Sequence, residues 1–133
     1  MKPKDDPQVT PWIAKRDEDL EMMALAIERA PHLHDAIAFH AQQAAEKSMK
    51  AVLTALGVDP PHVHDLVFLL QEIEKILPDA AISPKDCQVL APFATVARYP
   101  RRANRLPPIE AAVDACRRII AAIDTLFDRK QSV

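Results

Sequence analysis

Apolar residues return every three or four positions along most of the chain, which is the spacing of amphipathic helices. The first such stretch is predicted to begin at Thr10 as an N-cap, with Pro11 as the first helical residue, and to end before Pro31. A second helix is predicted over about residues 35–56. It is followed by Gly57, which stands where a helix end favours a left-handed residue.

Three further helices are predicted in the second half of the chain. The third covers about residues 64–77, and the last covers about residues 109–127. Between them, residues 83–86 (SPKD) have the pattern of a capping box, and Pro92 is expected to kink the short helix that follows. Residues 98–108 contain several prolines and are not expected to form regular helix. We therefore predict an all-α fold, an antiparallel up-and-down bundle of four long helices plus one short helix.

The length of 133 residues is that of a single domain. Residues 1–9 are polar and interrupted by proline, so we predict a flexible N-terminal segment there and one helical domain over residues 10–133. The first residues lack the apolar core of a signal peptide, and no uncharged run is long enough to span a bilayer. We therefore expect a cytoplasmic protein that does not enter a membrane.

The amino-acid composition excludes several classes of protein. One glycine among 133 residues excludes the glycine-rich loops of P-loop and dinucleotide-binding proteins. A formal net charge of −2 argues against a protein that coats nucleic acid with its whole surface. Cys87 and Cys116 fall at helical core spacing, where buried thiols are expected rather than nucleophiles or a disulfide framework. No cofactor is expected.

Positive charge is concentrated in one proline-rich segment. Arg98, Arg101, Arg102 and Arg105 fall within eight residues that contain no acid. Guanidinium groups bind phosphate oxygens in a two-pronged way, and Tyr99 is placed to stack on a base or donate to a phosphate. The segment is either an anion, nucleotide or nucleic-acid site, or a solvated loop whose arginines pair with acids on neighbouring helices.

All five histidines lie between residues 32 and 64. His32 with His34, and His62 with His64, have a spacing found in metal sites, but the two pairs flank opposite ends of the second predicted helix. That helix would be about 30 Å long, so one metal ion cannot reach both pairs in a monomer. No metal site is predicted. The simpler interpretation of His64 and Asp65 is a helix cap.

Acidic residues occur in two different settings. Glu18, Asp19 and Glu21 are interpreted as a solvated helix face. Glu46 and Lys50 stand four residues apart on the second predicted helix. They form either an ordinary surface pair or a pair held beside the arginine segment.

Three blocks of sequence carry a family resemblance. They are residues 39–57 (FHAQQAAEKSMKAVLTALG), 62–70 (HVHDLVFLL) and 97–100 (ARYP). In this order and at these distances they resemble the HEPN family, over about residues 10–128. The resemblance implies an all-helical bundle that is usually dimeric. It also implies a common partner, a minimal nucleotidyltransferase encoded as a separate small protein.

The resemblance assigns residues in each block to binding or to packing. They are Gln43, Glu46 and Lys47 in the first block, His64, Asp65 and Leu66 in the second, and Arg98, Tyr99 and Pro100 in the third.

Many HEPN proteins are metal-independent ribonucleases, and their motif is an arginine followed four to six residues later by a histidine, late in the chain. No histidine follows the arginine segment here, because the last one in the chain is His64. Arg29 and His34 have the spacing, but they stand at the exit of the first helix and on either side of Pro31. We therefore predict no catalytic residue, with Arg29 and His34 as the only candidate pair.

The function predicted from the sequence is a non-catalytic HEPN module that binds a nucleotide or RNA phosphate. It would be a cytoplasmic homodimer and the accessory or substrate-binding subunit of a nucleotidyltransferase, with a toxin–antitoxin pair as one setting. The glycine-serine and paired aspartates of the nucleotidyltransferase itself are absent. Two alternatives stay open: an atypical metal-independent ribonuclease, and a purely structural dimeric interaction protein.

Overall fold

The computed structural model describes residues 1–96 and 106–131. Within these residues every regular element is a helix, so the predicted all-α class is confirmed. The helices are α1 (Thr10–Arg29), α2 (His34–Ala55), α3 (Leu66–Glu74), α4 (Pro84–Leu90), α5 (Phe93–Val96) and α6 (Ile109–Gln131).

Helix α2 lies at the centre of the molecule and packs against α1, α3, α5 and α6. Fourteen of its 22 residues are buried, so it presents no broad face to solvent. Alanines at positions 38, 41, 44, 45, 51 and 55 are among them, and their small side chains let neighbouring helices approach closely. Because other helices surround α2, its buried polar side chains must find hydrogen-bond partners within the protein.

The end of α2 follows the prediction made from the single glycine. Gly57 has φ of +82°, which is the left-handed region. Its N–H donates to the carbonyl of Thr54 at 3.0 Å, and the N–H of Val58 donates to the carbonyl of Leu53 at 2.9 Å. This pair of bonds is a Schellman motif, and it turns the chain towards the start of α3.

The start of α1 differs from the prediction by one residue. Thr10 is the first helical residue rather than the N-cap, and Val9 occupies the cap position without a side-chain hydrogen bond. The reason is a turn before the helix, in which the carbonyl of Asp6 accepts from the N–H groups of Val9 and Thr10. Val9 is fully buried, and the N–H of Lys2 donates to the carbonyl of Ala55 at 2.7 Å. The flexibility predicted for residues 1–9 stays a prediction.

Two elements are shorter than their sequence patterns predict. Helix α3 begins after Asp65, whose carboxylate accepts from the N–H groups of Val67 and Phe68, and it ends at Glu74. Ser83 caps α4 by accepting from the N–H of Asp86 at 3.2 Å, as predicted. Pro92 separates α4 from α5 rather than kinking one helix, because proline cannot supply the N–H that continues the ladder.

Ion pairs, each between one buried and one more exposed side chain, tie the outer helices to α6. Arg118 donates from Nε and Nη2 to the carboxylate of Asp86, which joins α6 to α4. Arg16 is 4% exposed and donates to Asp124 at 2.8 Å, which joins α1 to α6. In the described parts of the chain, no helix is both long enough and apolar enough to span a membrane.

Candidate nucleotide site around Glu46 and His64

A buried carboxylate on α2 gathers the polar residues of the second helix around it. Glu46 is 2% exposed. Its oxygens lie 3.2 Å from Lys50 Nζ and 3.0 and 3.1 Å from His64 Nδ1. The side-chain amides of Gln42 and Gln43 donate to it at 3.2 and 3.5 Å. Hydrogen bonds from four neighbouring side chains compensate the cost of burying this charge.

Lys50 supplies the opposite charge inside the molecule. It is 7% exposed, and its ammonium lies 5.8 Å from the centre of the Trp12 ring, on the side of α1. The pair with Glu46 is therefore buried, and of the two interpretations the ordinary surface pair is wrong, while a position beside the arginine segment stays a prediction. An exposed pair and a buried pair have the same spacing along the sequence. Only the packing of α1 over α2 removes Glu46 and Lys50 from water.

His64 is held in place at two points. Gln42 Nε2 donates to the backbone carbonyl of His64 at 3.1 Å, and Glu46 binds the ring at Nδ1. An ionised carboxylate only accepts, so in the neutral ring Nδ1 carries the proton and Nε2 is left with a lone pair. The side chain of His64 is 58% exposed, so this second nitrogen is available to a ligand.

His64 also lines a shallow, open cleft between the start of α3 and the α4–α5 turn. The cleft has a volume of about 510 Å³. The described residues that line it are His64, Asp65, Val67, Gln88, Ala91, Pro92 and Ala94. Ala94 belongs to α5, the last described element before residues 97–105. The cleft is therefore adjacent along the chain to the arginine segment.

A second carboxylate–histidine pair joins α1 to α2. Asp19 Oδ1 lies 3.0 Å from His40 Nδ1, and Asp19 Oδ2 accepts from Lys47 Nζ at 3.1 Å. Lys47 also donates to Gln43 Oε1 at 3.2 Å, and Gln43 in turn donates to Gln42 at 2.6 Å. The two pairs therefore belong to one continuous polar network along α2.

In a comparison with protein-family models, residues 9–127 match the model described as HEPN domain. The chain belongs to the HEPN family. Neither the curated proteins nor the solved structures contain a significant match to this chain. The family resemblance of the three sequence blocks is thus confirmed over nearly the whole length of the chain.

Within this HEPN domain the structure brings most of the predicted α2 and α3 residues together. Gln43, Glu46, Lys47 and His64 all lie in the network, whereas the Asp65 carboxylate is engaged as the N-cap of α3. The predicted residues Arg98, Tyr99, Arg101, Arg102 and Arg105 lie outside the described residues.

The candidate catalytic pair of Arg29 and His34 is not brought together. Arg29 is exposed, and its Nε lies 3.9 Å from Glu28 at the end of α1. His34 is the first residue of α2 and lines a separate cleft of about 380 Å³, together with residues of α6. No hydrogen bond or ion pair between the two is present among the described residues.

Three network residues were missed by the sequence analysis. Asp19 was interpreted as part of a solvated face together with Glu18 and Glu21, but its side chain is only 14% exposed. Gln42 is fully buried, and His40 binds Asp19. The available signal was spacing, because Gln42, Glu46 and Lys50 form a run at i, i+4 and i+8 on one face of α2.

The two cysteines of the domain are buried, as predicted. Burial raises the pKa of the Cys87 thiol to about 12, and the nearby carboxylates of Asp86, Glu74 and Asp65 act in the same direction. Burial also raises the pKa of the Cys116 thiol to about 12, against the lowering effect of Arg117. Both thiols are therefore protonated at neutral pH and are poor nucleophiles.

Proposed function

We propose that this HEPN domain is a non-catalytic module that binds a nucleotide or an RNA phosphate. The observation that carries the proposal is the cleft beside His64, where a histidine anchored by Glu46 presents its second ring nitrogen to solvent. Membership of the HEPN family supports a nucleotide- or RNA-related role. Ligand sites are mostly apolar with a few placed polar groups, and the described lining of this shallow, open cleft has that composition.

The phosphate-binding part of the proposal rests on the arginine segment. Arg98 follows Ala94, a residue of the cleft lining, by four positions, so the chain between them spans at most about 14 Å. Four arginines without an acid in eight residues give a local charge of +4. Self-repulsion within such a segment is relieved when a polyanion binds. We therefore assign Arg98, Arg101, Arg102 and Arg105 to phosphate and Tyr99 to the base or the phosphate.

The biological setting is part of the same proposal. The protein acts in the cytoplasm as a homodimer and as the accessory or substrate-binding subunit of a separate nucleotidyltransferase, in a toxin–antitoxin pair among other settings. The chain carries no nucleotidyltransferase motif of its own, so the transfer chemistry must come from the partner.

Light scattering of the purified protein tests the dimer, and co-purification with a nucleotidyltransferase encoded next to it tests the partner. A monomer at tens of micromolar contradicts the dimer.

Titration calorimetry tests the phosphate site. ATP and a short single-stranded oligonucleotide are titrated into the wild type, Arg98→Ala and Arg102→Ala at two salt concentrations. Loss of one charge-assisted contact should weaken binding by about tenfold to a hundredfold. Affinity should fall steeply with salt, because bound phosphates release counterions. Lys15→Ala, which removes an exposed positive charge from α1, is the matched control and should bind like the wild type.

The structure also favours one alternative, an atypical metal-independent ribonuclease. A buried carboxylate that orients an exposed imidazole is the arrangement of a general base. In this alternative His64 Nε2 takes the proton of an RNA 2′-OH. The 2′-oxygen bonds to the adjacent phosphorus, the P–O bond to the 5′-oxygen breaks, and the departing 5′-oxygen takes a proton from water, which leaves a 2′,3′-cyclic phosphate.

Incubation with single-stranded RNA and excess EDTA separates the two functions. The leading proposal predicts no cleavage. Cleavage that His64→Ala abolishes would establish the ribonuclease, whereas cleavage lost in Arg29→Ala or His34→Ala would place the site at the other candidate pair. Retained dimerisation without any nucleotide binding would support a purely structural interaction protein instead.

A further inference from the structure

The strap, residues 1–8, is docked across one end of the helix bundle. The backbone N–H of Lys2 donates to the carbonyl of Ala55 at 2.7 Å, at the end of α2. Lys4 Nζ donates to the carboxylate of Asp124 at 3.1 Å, in the C-terminal half of α6. The strap therefore joins two helices that precede and follow most of the fold along the chain.

The docked strap borders a cleft in which the side chain of Trp12 lies. Lys2 and Gln8 of the strap line this cleft of about 320 Å³ together with Trp12 and Thr54. Lys2 Nζ also donates to the side-chain oxygen of Gln8, which holds the two ends of the strap together. Trp12 is partly buried against the core. Detachment of the strap would open the cleft on this side and bring water to the Trp12 ring.

Three contacts lead from Trp12 to His64. The centre of the Trp12 ring lies 5.8 Å from Lys50 Nζ. Lys50 donates to Glu46 Oε2 at 3.2 Å, and Glu46 Oε1 lies 3.0 Å from His64 Nδ1. An ion pair is stronger in a dry environment than in a hydrated one, because water screens the attraction between the charges. The hold on Glu46, and through it on His64, therefore depends on whether water reaches Lys50.

The contacts that hold the strap are weaker than those of the core. The side chains of Lys4 and Asp124 are 36% and 38% exposed, and exposed ion pairs contribute little stability. Asp124 keeps a second partner, Arg16, at 2.8 Å when Lys4 leaves. A segment held by few and exposed contacts detaches at a lower free energy than the whole domain unfolds.

We propose that the strap regulates the anchoring of His64 by switching between a docked and a detached state. The docked state keeps water from Trp12 and Lys50 and holds Glu46 against His64. In the detached state water reaches Lys50, the Lys50–Glu46 pair weakens, and the His64 ring is less firmly held. The measurements that test this regulation need no ligand, so their outcome is independent of the proposed function.

Hydrogen exchange measures the detached population in Lys4→Ala. The amide of Lys2 exchanges with solvent when its bond to Ala55 opens. Loss of the exposed ion pair should raise the detached population, and with it this exchange rate, about 1.4-fold to fivefold. Lys15→Ala, which removes an exposed ion pair with Glu18 within α1, is the matched control and should leave the rate unchanged.

The double variant Lys2→Pro/Lys4→Ala removes both anchors of the full-length chain, because proline has no N–H to donate. Trp12 is the only tryptophan, so acrylamide quenching of fluorescence reports the access of water to its ring. We expect a higher quenching constant than in the wild type. The NMR signal of the His64 ring Nδ1–H should shift, because a coupling between two sites must be measured at the second one.

His40 is an internal control for the same spectra. Its partner Asp19 lies about two turns of α1 away from Trp12, so the His40 ring signal should stay unchanged.

Unchanged quenching in the double variant would overturn the proposal. Increased quenching with an unchanged His64 signal would also overturn it, because the strap would then not reach His64. Equal shifts of the His40 and His64 signals would indicate a general loosening of the domain and would contradict a specific effect. Circular dichroism checks folding, and if the double variant is unfolded, Lys4→Ala decides: an exchange rate of Lys2 equal to that of the wild type contradicts the strap.

Discussion

Two carboxylate–histidine pairs, each with one partner on α2, have the same contact distance and different surroundings. The distance from carboxylate oxygen to Nδ1 is 3.0 Å in both Glu46–His64 and Asp19–His40. The side chains of Asp19 and His40 are 14% and 24% exposed, so both partners lie between α1 and α2. The side chain of Glu46 is 3% exposed, whereas the side chain of His64 is 58% exposed, and His64 lines a cleft.

The difference shows that a contact distance does not by itself define a functional histidine. His40 Nδ1 contacts Asp19 of α1, which joins two helices, and its ring packs against neighbouring Phe39 with 5.6 Å between ring centres. His64 has one nitrogen held by the interior and the other turned outward. Anchoring combined with exposure is what makes a side chain both pre-organised and available to a ligand.

The strongest test removes the carboxylate of the buried pair. Glu46→Ala leaves the ammonium of Lys50 buried without its partner, and such a change costs about 3–5 kcal/mol. A domain of this size has about 5–15 kcal/mol of stability in total, so the midpoint of urea unfolding should shift greatly. Glu46→Gln keeps the shape and serves as a milder control. A loss from Glu46→Ala below about 1 kcal/mol would show that Lys50 is hydrated.

The equivalent change at the other pair should cost less. Asp19→Ala removes contacts to His40 and Lys47, whose side chains are 24% and 20% exposed and can be rehydrated. We expect a loss of about 1–2 kcal/mol in the same urea experiment. Glu18→Ala, one position earlier and fully on the exposed face of α1, is the matched control and should be nearly neutral. A loss as large as that of Glu46→Ala would remove the distinction between the pairs.

The two histidines should separate when ligand binding is measured. His40→Ala should lower stability by about 1 kcal/mol and leave ATP affinity unchanged, because the ring lies between helices. His64→Ala should have the opposite profile, with ATP affinity reduced by up to about tenfold and stability little changed. Calorimetric titration gives the ATP affinity of each variant, and urea unfolding gives the free energy of unfolding of each. The same profile for both histidines would contradict the assignment.

The smallest expected effect concerns the reactivity of the two native thiols, Cys87 on α4 and Cys116 on α6. Folding raises the pKa of both from 9.0 to about 12, so their contribution to stability is full below pH 9 and is lost as the pH rises towards 12. At pH 8 both are protonated and should react slowly with iodoacetamide. Asp19 is among the charges that act on Cys116, so Asp19→Ala should speed labelling of Cys116 more than of Cys87. Mass spectrometry that finds equal acceleration would indicate global rather than local opening.

The helices were largely predictable because their signals are local. Proline at the start of α4, glycine after α2 and the apolar spacing within each helix act over a few residues, and these elements are found where the sequence predicts them. Local signals did not locate the end of α3, because an apolar pattern continues to Leu77 while the backbone turns after Glu74. They also did not show the turn that begins α1, which depends on the carbonyl of Asp6.

The sequence by itself determined the all-α class, the HEPN resemblance and the membership of Gln43, Glu46, Lys47 and His64 in one set. Only the tertiary structure decided which of these are buried and which are accessible. Glu46 and Lys50 have the spacing of a surface pair, yet the packing of α1 over α2 encloses them, and Asp19 has the pattern of a solvated face, yet it meets His40. Burial depends on which helices pack together, and this packing depends on residues far apart in the chain. The spacing of residues along one helix therefore does not predict which of them are buried.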